Sequence, residues 1–510
     1  MSLRYTLVMH TTKKSFKNLL SYYKEISLLS NIQAQLEWDL NTYLPPKAAE
    51  GRSEQTAYVT QLVTEKWQDP KFKELFDKAK SEKELTLEEK GVIRNLDHSF
   101  KYYTKIPKEL IIEFSKETSL AFMAWNSAKQ NNDFATYLPH LKTIIRLCQL
   151  MADHLTYKKD RYDALLDLYE PGLTTARCNE LFSEIKEPLS TLIKTITHSK
   201  GYSTEPPLVR KDISFDQKQQ ENLSHYILKK IGYDFTAGRL DVSPHPFTIG
   251  MGAQDIRITT AYKDTDFRDS LTASIHEGGH ALYEQGINPE YDHTPVAGGV
   301  SLGIHESQSR FWENQIGRHP EFIKFVTPLL HAFFPSLQNA DSDAITMLFN
   351  HVKPGLIRIE ADEVTYNLHI IIRFEIEQGL INGTINPENL PEVWNKKMKK
   401  YLGITPSTDS LGVLQDVHWS YGSFGYFPTY TLGNLYAAQI NDTLKKEIPY
   451  ESQLSSGNVR EILAWLRSHI HVHGSIYTPD ELIKNATGKK LSSKHFLNYI
   501  TDKYTRLYGI

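Results

Sequence analysis

The sequence of 510 residues is poor in cysteine, with only Cys148 and Cys178. Two thiols cannot build a disulfide scaffold, and their scarcity fits a reducing compartment. Long apolar runs are missing too: none approaches the roughly 20 residues that span a bilayer. The opening "MSLRYTLVMHTTKKSF" has too short an apolar stretch for a secretory signal. Charge of one sign is also absent. Lys and Arg number 58 against 61 Asp and Glu, a net −3, so neither nucleic acid nor an anionic membrane is expected as a partner. Repeats and low-complexity tracts are lacking as well. The expectation is a cytoplasmic protein in which residues 1–14 are a loose leader, Met9 offers a second possible start, and 15–510 form one domain.

What the sequence has is helical periodicity. "SFKNLLSYYKEISLLSNIQAQLEWDL", "PKELIIEFSKETSLAFMAWNSAKQ", "YLPHLKTIIRLCQLMADHLTY" and "CNELFSEIKEPLSTLIKTI" all space their apolar residues three and four apart. One region reads as extended, "HPFTIGMGAQDIRITTAYK" at 245–263, with Ile256 and Ile258 alternating between flanking glycines. "PVAGGVSLG" at 295–303 suits a loop or a short strand. The Gly, Ser and Pro cluster near 198–214 marks a sub-boundary between two helical halves. A mainly helical fold with a small sheet near the middle of the chain follows.

Chemistry concentrates in "SLTASIHEGGHALYEQG", residues 270–286. His276 and His280 lie four apart, about 40° in azimuth on a helix, so both imidazoles can reach one ion. Glu277 sits about 60° from His280 on the same side, placed to take a proton from water without ligating the ion. The two glycines between the histidines each cost about 1 kcal/mol relative to alanine. Both fall in the arc of Leu271, Ile275 and Leu282, where a missing side chain lets a neighbouring element approach the backbone. A catalytic zinc site needs a third protein ligand and an open fourth position. "SLGIHESQSRFWENQIG" offers Glu306, 26 residues beyond His280, and His305 beside it.

The chain resembles the carboxypeptidase Taq family of zinc metallocarboxypeptidases over nearly its whole length. The motifs that carry the resemblance are "HPF" (245–247), "DIRIT" (255–259), "HEGGH" (276–280), "HESQ" (305–308), "IRIEAD" (357–362) and "GVLQDVHW" (412–419). "EWDLNTYLP", "DFATYLPHLKTI" and "RYDALLDLYEPG" match as well. The resemblance implies a neurolysin-like helical body with a deep cleft and zinc on its floor. It selects Glu306 over His305 as the third ligand. It further implies broad removal of single C-terminal residues, with terminal proline disfavoured, a homodimer, and cobalt as a substitute for zinc.

The same resemblance points to Arg358 as the anchor for the terminal carboxylate of a peptide, which arginine can hold bidentately. The plainer reading of Arg358 is an i,i+4 ion pair with Asp362 on a helix. Arg257 is the second candidate anchor, or else an outward residue of an edge strand paired with Asp255. Peptide hydrolysis also needs a donor for the developing oxyanion. "DVHWSYGSFGYFPTY" supplies His418, Tyr421, Tyr426 and Tyr430 in a Gly-rich loop flexible enough to close, and zinc peptidases with related clefts favour His418 and Tyr426. His245 reads as a buried, hydrogen-bonded structural histidine. The resulting expectation is a zinc carboxypeptidase with Glu277 as general base. Two rivals are an endopeptidase with the same metal site and a non-catalytic helical metal-binding protein.

Overall fold

The computed structural model describes residues 11–206, 208 and 213–510. The chain is mainly helical, with one three-stranded sheet among the described residues. It divides into two compact units, each assembled from three separated stretches. The first takes the described chain through Tyr103, then Leu208–Phe349 and Ile440–Lys490; the second takes the stretch from Thr104 that precedes Leu208, then Asn350–Gln439 and Leu491–Ile510. The Gly/Pro-rich 198–214 segment lies between helices Thr175–Thr197 and Gln217–Ile231, and 207 and 209–212 in it lie outside the described residues. No helix among the described residues is long and apolar enough to cross a membrane.

Most of the expected leader, including Met9, also lies outside the described residues. Its described end is not loose. Thr11 donates to Glu89 at 2.7 Å, Lys13 pairs with the same carboxylate at 2.6 Å, and the first helix, Lys14–Thr42, begins immediately after.

In the first unit, the sheet holds β1 (Leu240–Val242), β2 (Thr248–Gly250) and β3 (Ile256–Thr260) in the order β1-β3-β2. β1 runs parallel to β3 and β2 antiparallel to it. Ile256 and Ile258 are buried under the helix Phe267–Glu284. Asp266 caps that helix by accepting the Arg268 N–H, a typical start for a segment whose next residues are apolar at helical spacing. The "PVAGGV" stretch is loop rather than strand, and Ser301 then caps the helix Leu302–Arg310. That helix passes without a break into a π-helical turn, Phe311–Gly317.

The second unit contains the expected helices Lys108–Asn131, Phe134–Leu155 and Thr175–Thr197, the last two with an internal proline. Its most buried helix is Tyr366–Ile381, covered on nearly every side. Polar residues on such a helix must find partners within the protein. Arg373 and Glu377, both fully buried, do so and organise the segments around them.

Candidate functional site

Helix Phe267–Glu284 presents His276, Glu277 and His280 as their spacing predicts. The two glycines between the histidines admit two different neighbours. A Cβ on Gly278 would lie 2.6 Å from Leu228 Cδ2 on helix Gln217–Ile231. One on Gly279 would lie 2.6 Å from the Gln308 carbonyl oxygen and 2.7 Å from Ser309 Cα. The second contact is backbone against backbone. It draws the helix Leu302–Arg310, and with it Glu306, against the histidines.

His276 Nε2 and His280 Nε2 face the same Glu306 oxygen, at 3.7 and 3.5 Å. One donor atom from each of the three residues lies within 4.8 Å of the others. Each remaining donor atom is occupied. His276 Nδ1 bonds Glu313 Oε2 at 2.8 Å, and His280 Nδ1 meets His305 Nδ1 at 2.6 Å. Arg310 Nε donates to Glu306 Oε1 at 2.6 Å. Two imidazole nitrogens and one carboxylate oxygen therefore converge, a set suited to a divalent ion of the zinc type. His305, the alternative third ligand, stands outside this group. Its Nδ1 faces His280 and its Nε2 bonds Glu284 at 2.8 Å.

Charge around the group is closely matched. Burial alone would raise the Glu306 and Glu313 carboxyls, but Arg310 and the histidines hold both well below the usual range, with Arg318 assisting at Glu313. Burial drives His280 down to about 3, keeping it neutral, whereas Glu306 and Glu313 outweigh burial at His276 and raise it. Glu277 is buried and raised by that burial. Thr248 on β2 donates to its Oε2 at 2.6 Å and to its backbone carbonyl at 3.0 Å, fixing the carboxylate beside the histidines. Sequence reasoning missed Thr248, Glu284, Arg310 and Glu313. Only Glu306-x-x-x-Arg310 left a signal, as an i,i+4 pair.

Several expectations are corrected. Arg257 is on the central strand, not an edge, although its pairing with Asp255 holds with two bonds of 2.7 Å. His245 is exposed, and it is its carbonyl, not its ring, that accepts from Ser243 at 2.6 Å. Arg358 does not pair with Asp362. It opens a 3₁₀ turn, Arg358–Glu360, while Asp362 accepts the N–H groups of Lys353, Val364 and Thr365. The partner of Arg358 is Asp416, reached by Nε at 3.0 Å and Nη2 at 2.8 Å, and the guanidinium lies over the Tyr430 and Phe427 rings.

The Gly-rich segment after Asp416 is tethered at two points. Trp419 Nε1 and the Gly425 N–H donate to opposite oxygens of Glu377, at 2.7 and 2.9 Å. Gly425 has φ +95°, and a Cβ there would strike the Leu165 backbone at 2.7 Å. His418 is placed against Phe427, with Nε2 3.4 Å from the Tyr430 hydroxyl and a buried Nδ1 without a hydrogen-bond partner. Burial, reinforced by the two nearby arginines against Asp416, drives it down to about 4. The Tyr426 ring packs against Tyr169, Tyr430 and His418. Tyr421 is largely exposed and stacks on Phe122.

The sequence model of the family described as carboxypeptidase Taq (M32) metallopeptidase matches residues 18–504. Thermostable carboxypeptidase 1 of Pyrococcus furiosus is 42% identical over 493 residues, covering 96% of this chain and 98% of the relative. Carboxypeptidase 1 of Bacillus subtilis is 38% identical over 502 residues, covering 98% and 99%. Among solved structures, a Pyrococcus furiosus carboxypeptidase (apo-Mg) superposes with a TM-score of 0.95 at 41% identity, covering 97% of this chain and all of that one. Trypanosoma cruzi metallocarboxypeptidase 1 gives 0.92 at 36%, covering 96% and 99%.

Proposed function

Because the chain belongs to the carboxypeptidase Taq (M32) family and is a metal-dependent carboxypeptidase, we propose that it is a zinc enzyme releasing single C-terminal amino acids from peptides with broad specificity. His276, His280 and Glu306 hold the metal, and cobalt can replace zinc there. The observation that carries this reading is the convergence of two Nε2 atoms on one Glu306 oxygen, with every other donor atom of the three already engaged. When bound, the ion acts as a Lewis acid, polarising the scissile carbonyl and acidifying water.

The remaining steps belong to side chains. Glu277 accepts the proton of the attacking water and returns it to the leaving amine. Thr248 keeps the carboxylate aimed. His418 and Tyr426 donate to the developing oxyanion, and the unpartnered Nδ1 of His418 supports its part. Arg358 receives the terminal carboxylate. Arg257, whose charge Asp255 already meets bidentately, is the secondary contact. The substrates are peptides with a free C-terminal carboxylate, and the enzyme is a cytoplasmic homodimer.

Incubating the purified protein with an unbiased peptide mixture and reading products by mass spectrometry tests the proposal. C-terminal ladders are expected. Internal cuts would replace it with an endopeptidase, and intact peptides with a non-catalytic metal-binding protein.

A further inference from the structure

Asp416 is shared by two arginines. Arg358 takes its Oδ1, while Arg373 takes its Oδ2 with Nε at 2.7 Å and Nη2 at 2.5 Å. Gln415 ties the pair together, its side-chain oxygen accepting the Arg358 backbone N–H at 2.9 Å and Arg373 Nη2 at 2.7 Å. Arg373 Nη1 donates to the His369 carbonyl at 2.7 Å, and the guanidinium lies 4.6 Å from the Trp394 ring. All three of its nitrogens are thus used within the protein. Arg358 differs. Nε and Nη2 share one oxygen, and Nη1 has only the Tyr366 hydroxyl at 3.5 Å.

The charges do not cancel. Burial lowers Arg373 only to about 10, so it remains a cation at neutral pH. Burial would raise Asp416, but the two arginines hold it far below the usual range. His369 and His418 are kept neutral by burial. Glu377, one turn beyond Arg373, is raised to about 7 by burial and spends its oxygens on Tyr162, Trp419 and Gly425. Glu377 is thus only partly ionised at neutral pH and bonds neither arginine, so two cations share Asp416 as their one directly bonded carboxylate, at side-chain exposures of 7%, 0% and 11% for Arg358, Arg373 and Asp416. A buried charge without a counter-ion is costly, and an anion docking on Arg358 would remove the imbalance.

Building on the reading that Arg358 receives the terminal carboxylate, we infer that Arg373 is a positioning residue that sets the charge of that anchor. By engaging Asp416 from the far side, it leaves Arg358 with an unneutralised positive charge for the substrate. Without Arg373, the Arg358–Asp416 pair is neutral and the anchor loses its attraction for an anion.

The measurement is the ratio of kcat/KM for a peptide with a free C-terminus to that for the same peptide amidated. Arg373→Met should lower this ratio at least about 10-fold, chiefly through KM. Arg373→Met with Asp416→Asn restores one excess positive charge and removes both buried partners together, so it should return the ratio to within about 3-fold of wild type. A merely structural role for Arg373 predicts no such rescue. If Arg373→Met fails to fold, the double variant decides alone. The inference is overturned if Arg373→Met keeps the wild-type ratio, or if the folded double variant shows no preference for the free terminus. If wild type itself does not discriminate, or Arg358→Ala discriminates as well as wild type, the carboxylate-anchor reading falls and this one with it. Loss of discrimination in Arg358→Ala but not in Arg373→Met refutes the charge assignment alone.

Discussion

Replacing Gly279 by alanine tests whether the glycines exist to bring two helices together. On propensity alone the change should stabilise the helix by about 1 kcal/mol. The new Cβ, however, would lie 2.6 Å from the Gln308 carbonyl oxygen and 2.7 Å from Ser309 Cα. Both are backbone atoms and cannot rotate away. Restoring an ordinary contact of 3.4 Å or more requires helix Leu302–Arg310 to move back by several tenths of an ångström. Overpacking of this kind costs about 1–3 kcal/mol, which outweighs the propensity gain. Glu306 rides on the displaced helix, so it withdraws from His276 and His280. Gly279→Ala should therefore lower Tm and weaken zinc binding at least about 10-fold by competition with a chromophoric chelator. Gly278→Ala is the control. Its Cβ would meet the end of the Leu228 side chain at 2.6 Å, which can change rotamer, so stability should stay within about 1 kcal/mol and zinc affinity should hold. The reasoning is refuted if Gly279→Ala is as stable as Gly278→Ala and binds zinc as tightly as wild type.

Glu277→Gln keeps size and shape but cannot accept a proton, so metal content should persist while turnover falls at least about 100-fold; normal activity in a metal-replete variant would rule out the base assignment. A chelator should abolish peptide hydrolysis and added zinc or cobalt restore it, whereas His280→Ala should fail to retain one ion per chain by elemental analysis. Glu377 gives a pH test. Its folded pKa, about 7, exceeds the unfolded value of about 4.3, so its contribution to stability is full below pH ~4.3 and is lost as pH rises through 7. Between pH 5 and 8, wild type should lose about 2 kcal/mol more than Glu377→Gln in denaturant unfolding; equal slopes would show that Glu377 is ionised throughout.

What was legible in the sequence was local. His276, Glu277 and His280 could be placed because helical spacing alone puts them on one side. The choice between His305 and Glu306 could not, since adjacent helical residues point about 100° apart and the loop before Ser301 decides which one faces inward. The plainer reading of Arg358, an ion pair with Asp362, failed for the same reason. Its i,i+4 relation to Asp362 matters only in a helix, and the chain is a 3₁₀ turn followed by an Asp362-capped bend before helix Tyr366–Ile381 begins. The actual partner, Asp416, is 58 residues away. β1 was missed because three residues cannot display an alternation. The two-unit organisation, with each unit built from three stretches, leaves no composition shift at its later crossings; one of them, between Gln439 and Ile440, falls inside the helix Pro428–Leu444.

The π-helical turn had no sequence signature, yet it bears on why Glu306 suits a catalytic rather than a closed metal site. Arg310, one α-turn beyond Glu306, donates Nε to Glu306 Oε1 and Nη1 to Glu313 Oε2. Glu313 comes from the π segment and bonds His276 Nδ1 with that same oxygen. One arginine thereby orients a proposed ligand and the carboxylate behind another. With Oε1 engaged, Glu306 can offer a cation a single oxygen, and with both Nδ1 atoms engaged each histidine can offer only Nε2. Among the described residues, His276, His280 and Glu306 would then offer a bound ion one donor atom each. A catalytic zinc ion held by three such donors would keep a position for water or a substrate carbonyl, and the Arg310 salt bridge to Glu306 Oε1 would help to keep Glu306 from binding through both oxygens. Arg310 and Glu313 thus leave Glu306 one oxygen and His276 one nitrogen to offer, a restriction that the His-Glu-x-x-His spacing alone does not impose.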